Sequence, residues 1–307
     1  ILSQSTRSHV TVALSRDGGG EIFAGYARFL AAIWTDRIPR VFLQAAHVLL
    51  RHLPASQARS RLALLQRLVA VARYPLPERY LRWITYLRDS NEWIKEGSEA
   101  SSGEIYQLDA SLSSWWSQSK GWPLLSRLLH MNFNEYLPND LMVKADRCSM
   151  AHGLEARSPF LDTALIEYTM RLPAHFKTSG FRTKLLLKEA CSDLLPEAIK
   201  HRGKMGFGVP LGSWFRGAWR EPLRAHLAAR EARISRYLNP TRVQSLIDAH
   251  LAGICDAGQS LWLLLTIEVW LRQLEKPPLA VHECSAVRWL AAPTMGTAIA
   301  SAGALNG

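Results

Sequence analysis

Val12-Ala13-Leu14-Ser15-Arg16-Asp17-Gly18-Gly19-Gly20-Glu21-Ile22-Phe23-Ala24-Gly25-Tyr26 is the stretch whose reading decides the fold of this chain. With Val10, the residues Val12, Ala13 and Leu14 read as the end of a buried strand, because such a run keeps no polar face for solvent. Three glycines in a row then remove every Cβ, which lets backbone N–H groups turn toward a ligand. Ile22 through Leu30 reads as a helix, so the loop would feed a helix N-terminus, where anions are favoured. Asp17 and Glu21 put two carboxylates on that scaffold, which points to a magnesium or amine ligand. A tight turn after a strand accounts for the glycines equally well, so the loop has to be weighed with its surroundings.

The next dense stretch is residues 136–162, YLPNDLMVKADRCSMAHGLEARSPFLD. Asn139 or Asp140, after Pro138, is placed to cap a helix that Gly153 would stop. Lys144 and Arg147 share a face of that helix, with Asp140 four residues before Lys144. A solvated ion-pair network and a basic face turned into a cleft both fit this spacing. Beyond Gly153, Glu155, Arg157 and Asp162 alternate with large apolar residues in an extended segment. Charges in such company must pair or face a site, since an unpaired buried charge is costly. Asp162 is also placed to cap the helix that ends before Pro173. Phe181 to Leu195 reads as an amphipathic helix with Leu185, Leu186, Ala190 and Leu194 inward and Lys184 and Lys188 on one face. In the run 201–212, HRGKMGFGVPLG, Lys204 stands between Gly203 and Gly206, which suits a mobile point charge for a polyphosphate. A plain surface loop is the competing reading.

Elsewhere the pattern is helical. Apolar positions recur at helical spacing from Ile38 to Arg73, with Pro54 between two helices and Pro75 and Pro77 ending the second. Ser90 to Ser119 is polar and Ser-rich and reads as loop with short helices. The segments near 222–236, 241–252 and 259–275 read as structural helices, while 276–307 is poor in charge and periodicity and is expected to be disordered. The chain of 307 residues has room for one or two domains. Its net charge of +11 is spread along the sequence, which fits a basic solvated surface better than a nucleic-acid interface. Cys148, Cys191, Cys255 and Cys284 form no CxxC pair, which argues for reduced thiols and a cytoplasmic protein. No apolar run reaches membrane-span length. The first residues, Ile1-Leu2-Ser3-Gln4, read as the middle of a longer chain.

The three stretches, in this order, resemble the synthetase domain of glutamine-dependent asparagine synthetases. Leu14–Tyr26 is similar to the family's L-S-G-D-G-G-D-E-L-F-G-G-Y. Tyr136–Asp162 is similar to its Y-L-P-x-D-x-L-x-K-x-D-R run, offset by one residue at the helix start, with the following L-E-A-R-x-P-F-L-D. Lys204–Leu211 is similar to K-M-G-F-G-V-P-L. The resemblance covers roughly residues 1–275 and leaves 276–307 as a tail outside the family.

The resemblance implies an α/β fold of the adenine nucleotide alpha hydrolase-like, ATP-pyrophosphatase type. Here that fold would be cut to a predominantly α-helical piece with a few parallel strands. It implies a carbon–nitrogen ligase that adenylates the side-chain carboxylate of aspartate with ATP and Mg2+. Ammonia from glutamine, released by an N-terminal glutaminase domain, then displaces AMP. Asp17, Lys204 and Glu155 would carry the chemistry: Asp17 beside the acyl-adenylate, Lys204 at the pyrophosphate, and Glu155 on the acceptor side. Ser15, Gly18, Gly19, Glu21, Asp146, Arg147 and Arg157 would bind substrate or nucleotide. Tyr26 and Phe160 would only pack.

The chain departs from the family in three ways. The S-G-G-x-D-S pyrophosphate loop and the glutaminase part are expected upstream of residue 1, so this piece is expected to be inactive alone. Gly20 replaces an aspartate that helps hold magnesium, which leaves no metal ligand to name. Arg16 and Ala24 replace glycines. Three readings stay open: an asparagine synthetase, possible as a homodimer; a relative amidating a sugar or peptide carboxylate; and a non-catalytic binding module.

Overall fold

The computed structural model describes residues 1–50, 61–87, 92–98, 108–200 and 208–275. Pro54, Lys204 with its neighbours 201–207, and the tail 276–307 lie outside them. Among the described residues the chain is mostly helical, with two small two-stranded sheets. β1 (Val12–Leu14) and β2 (Glu155–Arg157) pair in parallel, with Val12 opposite Glu155 and Leu14 opposite Arg157. The second pair, β3 (Thr178–Ser179) and β4 (Arg182–Thr183), is antiparallel, where only parallel strands were expected.

Two apolar clusters hold the helices. One gathers Phe29, Tyr80, Leu112, Leu125, Leu128 and Met131 and fixes the helix that follows the glycine loop. The other gathers Phe215, Leu223, Ile234, Ile247, Leu261 and Leu264 from the C-terminal helices. In the first, Arg79 is buried with each guanidinium nitrogen bonded: Nε and Nη2 donate to the Tyr74 carbonyl and Nη1 to Thr35 Oγ1. In the second, buried Glu268 accepts from the Ile234 amide and from Arg272.

Several local expectations are corrected. β1 is not buried: Val12 is 38% and Leu14 75% exposed, because the two-stranded pair has no described layer over that face. The helix after the loop starts at Ala27 rather than Ile22. Left-handed backbone at Gly18 (φ 88°) and Ala24 (φ 53°) keeps the intervening residues in turns. Asn139 and Asp140 cap nothing, since one helical rod runs from Leu124 to Met150. Its middle, Asn132–Met142, is a π-helix containing Pro138. Proline lacks an N–H and its ring collides with the carbonyl four residues back, so a wider turn accommodates it. The helix Arg61–Ala72 does end before Pro75 and Pro77, and the two prolines also open the helix Leu76–Ile84, where proline's fixed φ is favourable. The Ser-rich region contains the helix Leu108–Gln118. The helix expected across 181–195 shrinks to Leu185–Ala190, and Leu194 is exposed.

Other expectations hold. Gly153 (φ 63°) stops the rod: the Gly153 amide bonds to the Met150 carbonyl and the Leu154 amide to the Ser149 carbonyl. The Asp162 carboxylate accepts from the Leu165 amide and caps Thr163–Arg171.

Two stability predictions follow from this packing. Leu128 is fully buried, and Leu128→Ala should lower the unfolding free energy in urea by about 2–5 kcal/mol. Lys177 is 1% exposed, and burial holds its ammonium down at about 8, against a usual 10.5. Between those values the unfolded chain binds more protons than the folded one, so this residue's contribution makes stability rise with pH across that window. Lys177→Met should therefore raise Tm at neutral pH and remove that part of the slope. A variant that melts lower, with the slope intact, would refute the assignment.

Candidate functional site

The site forms where β1 and β2 end side by side. The Ser15 amide donates to the Arg157 carbonyl at 2.7 Å, extending the ladder by one rung. That rung brings together two serines far apart in sequence: Ser15 Oγ lies 2.7 Å from Ser158 Oγ and donates to Asp17 Oδ2 at 2.9 Å. The Asp17 amide turns back to Ser15 Oγ at 3.4 Å. Asp17 is thus fixed in orientation while half-buried.

The glycines are there because of close approach. A Cβ on Gly18 would stand 2.3 Å from Leu161 Cδ2, and one on Gly19 3.0 Å from the Phe160 ring. The loop is therefore pressed beneath the turn Pro159–Leu161, and Gly18, Gly19 and Gly20 are all buried. Phe160 also meets Phe23 edge to face at 6.1 Å, a packing role as expected.

Glu21 is 1% exposed, and its Oε1 accepts from the Tyr26 hydroxyl. Burial pushes the Tyr26 phenol well above its usual range, and the bond to Glu21 adds to the rise, so the hydroxyl stays a donor. Tyr26 therefore does more than pack. Its ring is capped by Arg28, whose Cζ lies 3.9 Å from the Tyr26 centroid and 4.4 Å from that of Tyr136. Arg28 Nη2 in turn donates to buried Asn132 Oδ1 at 2.6 Å, at the start of the π-helix. Behind the loop, Tyr26 and Arg28 help line a cleft of about 970 Å³ shared with Trp83, Asp256 and Ser260.

On the other side, Lys184 crosses the loop. A Cβ on Gly25 would meet Lys184 Cε at 2.3 Å and Gly20 Cα at 3.0 Å. Burial lowers the Lys184 pKa, an effect opposed by the charge of Glu21 and reinforced by Arg16 and Lys188.

The structure thus brings together Ser15, Asp17, Gly18, Gly19 and Glu21. Glu155 and Arg157 sit beside them on β2, but both are exposed and bind each other, Nε to Oε1, at 2.6 Å. Asp146 and Arg147 are exposed on the helix Val143–Met150, and no hydrogen bond or ion pair among the described residues ties them to the loop. Lys144 pairs with Asp140 at 3.8 Å in solvent, which favours the surface-network reading of that face. The residues that sequence reasoning missed are Ser158, Arg28 and, as a member of this site, Lys184. Ser158 precedes a proline and Lys184 reads as part of a helix face, so neither carries a signal linking it to the loop.

Magnesium is poorly served here. Gly20 has no carboxylate, and the Tyr26 ring stands 3.1 Å from where its Cβ would be. Glu21 is engaged by Tyr26, and the described residues hold no group of three His, Cys, Asp or Glu able to take a metal ion.

Comparison with known proteins gives a consistent result. The family model for asparagine synthase matches residues 1–272. The chain is 26% identical over 277 residues to asparagine synthetase [glutamine-hydrolyzing] 1 of Bacillus subtilis, covering 88% of this chain and 42% of that protein. Shorter matches are 36% identical over 78 residues to asparagine synthetase 3 of the same organism, 25% of this chain and 12% of that protein. The chicken enzyme is 39% identical over 82 residues, 24% of this chain and 14% of that protein. The chain spans about two-fifths of the length of the first of these relatives. No described helix is long and apolar enough to cross a membrane. With its motifs and the match over residues 1–272 in agreement, the chain belongs to the asparagine synthase family.

Proposed function

We propose that this chain is the synthetase part of a glutamine-dependent amidotransferase that converts aspartate to asparagine, with an adenine nucleotide alpha hydrolase-type fold completed by further sequence. The observation that carries the reading is the Ser15–Asp17–Ser158 cluster, fixed at the mouth of a buried glycine loop in a chain matched by the family over 1–272.

The aspartate side-chain carboxylate attacks the α-phosphorus of ATP, and pyrophosphate leaves. Ammonia from a glutaminase partner then adds to the acyl carbon, and AMP departs. Ser15 holds Asp17 by a hydrogen bond, so its carboxylate meets the incoming amine in one orientation. There it attracts the substrate ammonium and takes the proton that ammonia must lose, a role worth about 10²–10⁴-fold. Gly18 and Gly19 let the backbone approach the adenylate closely. Glu155 and Arg157 neutralise each other at the rim and present one carboxylate–guanidinium pair to the acceptor. Asp146 and Arg147 would join only if bound substrate or further sequence faces their helix, and Lys204 would meet the pyrophosphate. Because the described residues do not fit Mg2+, no step is assigned to it.

Aspartate-dependent exchange of labelled pyrophosphate into ATP, and asparagine formation from free ammonia, both measured on the chain with its upstream sequence restored, test this reading. Asp17→Asn should leave exchange within about tenfold and cut ammonia-dependent asparagine formation by about 10²-fold or more. Exchange dependent on another carboxylate would move the chain to a relative acting on a sugar or peptide. No exchange with any carboxylate would leave it a binding module.

A further inference from the structure

Ser158 stands where a serine hydroxyl ordinarily serves the backbone, and here it does something else. It precedes the turn Pro159–Leu161, an N-cap position, where a serine side chain usually accepts from the amides that follow. Its hydroxyl makes no such bond. The segment is held without it: the Leu161 amide donates to the Ser158 carbonyl at 2.8 Å, and the Ser15 amide to the Arg157 carbonyl. The Ser158 side chain instead reaches Ser15 Oγ at 2.7 Å, its one hydrogen bond among the described residues. Valence settles which of the two hydroxyls donates, since each has one proton and two lone pairs. Ser15 gives its proton to Asp17 Oδ2, because an ionised carboxylate can only accept, and it takes the Asp17 amide on one lone pair. The proton between the serines therefore belongs to Ser158, and it fills the last lone pair of Ser15. Donors then point one way, from Ser158 to Ser15 to Asp17, and each bond polarises the next. No described residue donates to Asp17 Oδ1, which is left open.

We propose that Ser158 is a positioning residue for the amidation step: it locks the Ser15 hydroxyl that holds Asp17 toward the incoming amine. The inference rests on the proposed function, which makes Asp17 the group that takes the ammonia proton. With Ser158 in place, Ser15 has no lone pair left for water, so its proton stays on Asp17 Oδ2 while Oδ1 is left for the amine. Without the Ser158 hydroxyl, Ser15 regains rotational freedom and Asp17 a wider range of orientations. Orientation at a reacting centre is worth far more than the hydrogen bond that secures it. Ser158 acts through Ser15 rather than by touching the reacting atoms. Adenylation precedes the arrival of ammonia, so the effect falls on the second half of the reaction.

Both half-reactions, measured for Ser158 variants of the chain with its upstream sequence restored, test the proposal. Ser158→Ala should lower kcat for asparagine formation from saturating ammonia by at least about tenfold, and aspartate-dependent pyrophosphate exchange by no more than about threefold. Ser158→Thr keeps the hydroxyl on a non-helical backbone, φ −115° and ψ 87°, that a β-branched residue accepts, and should restore most of the rate. In the Asp17→Asn background the loss caused by Ser158→Ala should shrink to less than about twofold, because two groups acting through one carboxylate are not additive. Equal losses in both half-reactions, a threonine variant no better than alanine, or a full loss that persists beside Asp17→Asn would each overturn it. A parent active in both steps with Ser158→Ala unchanged would count against this role alone. A parent with no exchange on any carboxylate would overturn the proposed function and this role together.

Discussion

The closeness of Leu161 and Phe160 to Gly18 and Gly19 is the constraint on which the rest of this structure depends. No side chain fits between the turn Pro159–Leu161 and the loop, so the backbone itself is the floor of the site. That closeness follows from the β1–β2 register: with Leu14 opposite Arg157, the next residues on each strand are Ser15 and Ser158, which meet at 2.7 Å. A one-residue slip would turn every side chain of β2 over and separate the two hydroxyls. Such a short ladder cannot hold its register unaided. The Schellman stop at Gly153 on one side and the Asp162 cap on the other fix both ends of the segment that carries β2.

Behind the loop, one chain of contacts links the acidic residue to the core. Glu21 takes the Tyr26 hydroxyl, Tyr26 supports Arg28, and Arg28 reaches Asn132, which also accepts from the hydroxyl of Tyr80. Asn132 and Glu135, three apart on the rod, face inward together and are both buried. Pro138 lies inside the wider turn, so a residue that looked like a helix boundary sits within the rod. The carboxylate of Glu21 is thereby held by a cation two contacts away as well as by its direct donor.

Much of this was legible in the residues, and the failures have a common cause. Gly153 and Asp162 could be read because stops and caps are local, requiring a left-handed residue or a side-chain acceptor at a fixed offset. The loop itself could be read because three glycines in a row have few uses. Ile22 as a helix start could not survive, since its apolar period was real but Ala24 turned the backbone left-handed. Val12 and Leu14 read as buried from composition, yet burial depends on a layer that strands alone do not provide. Ser158 and Lys184 were invisible because their partners are 143 residues away in one case and set by a lysine stem crossing a glycine in the other. Long-range placement leaves no periodic trace.

Packing explains why Gly20, Glu21 and Tyr26 belong in one account. A buried glutamate needs compensation wherever it sits, and here its direct donor is the Tyr26 hydroxyl. A Cβ at position 20 would stand 3.1 Å from the Tyr26 ring, so any larger residue there would need that ring to give by a few tenths of an ångström. The ring that donates to Glu21 thus also sets how much room position 20 has.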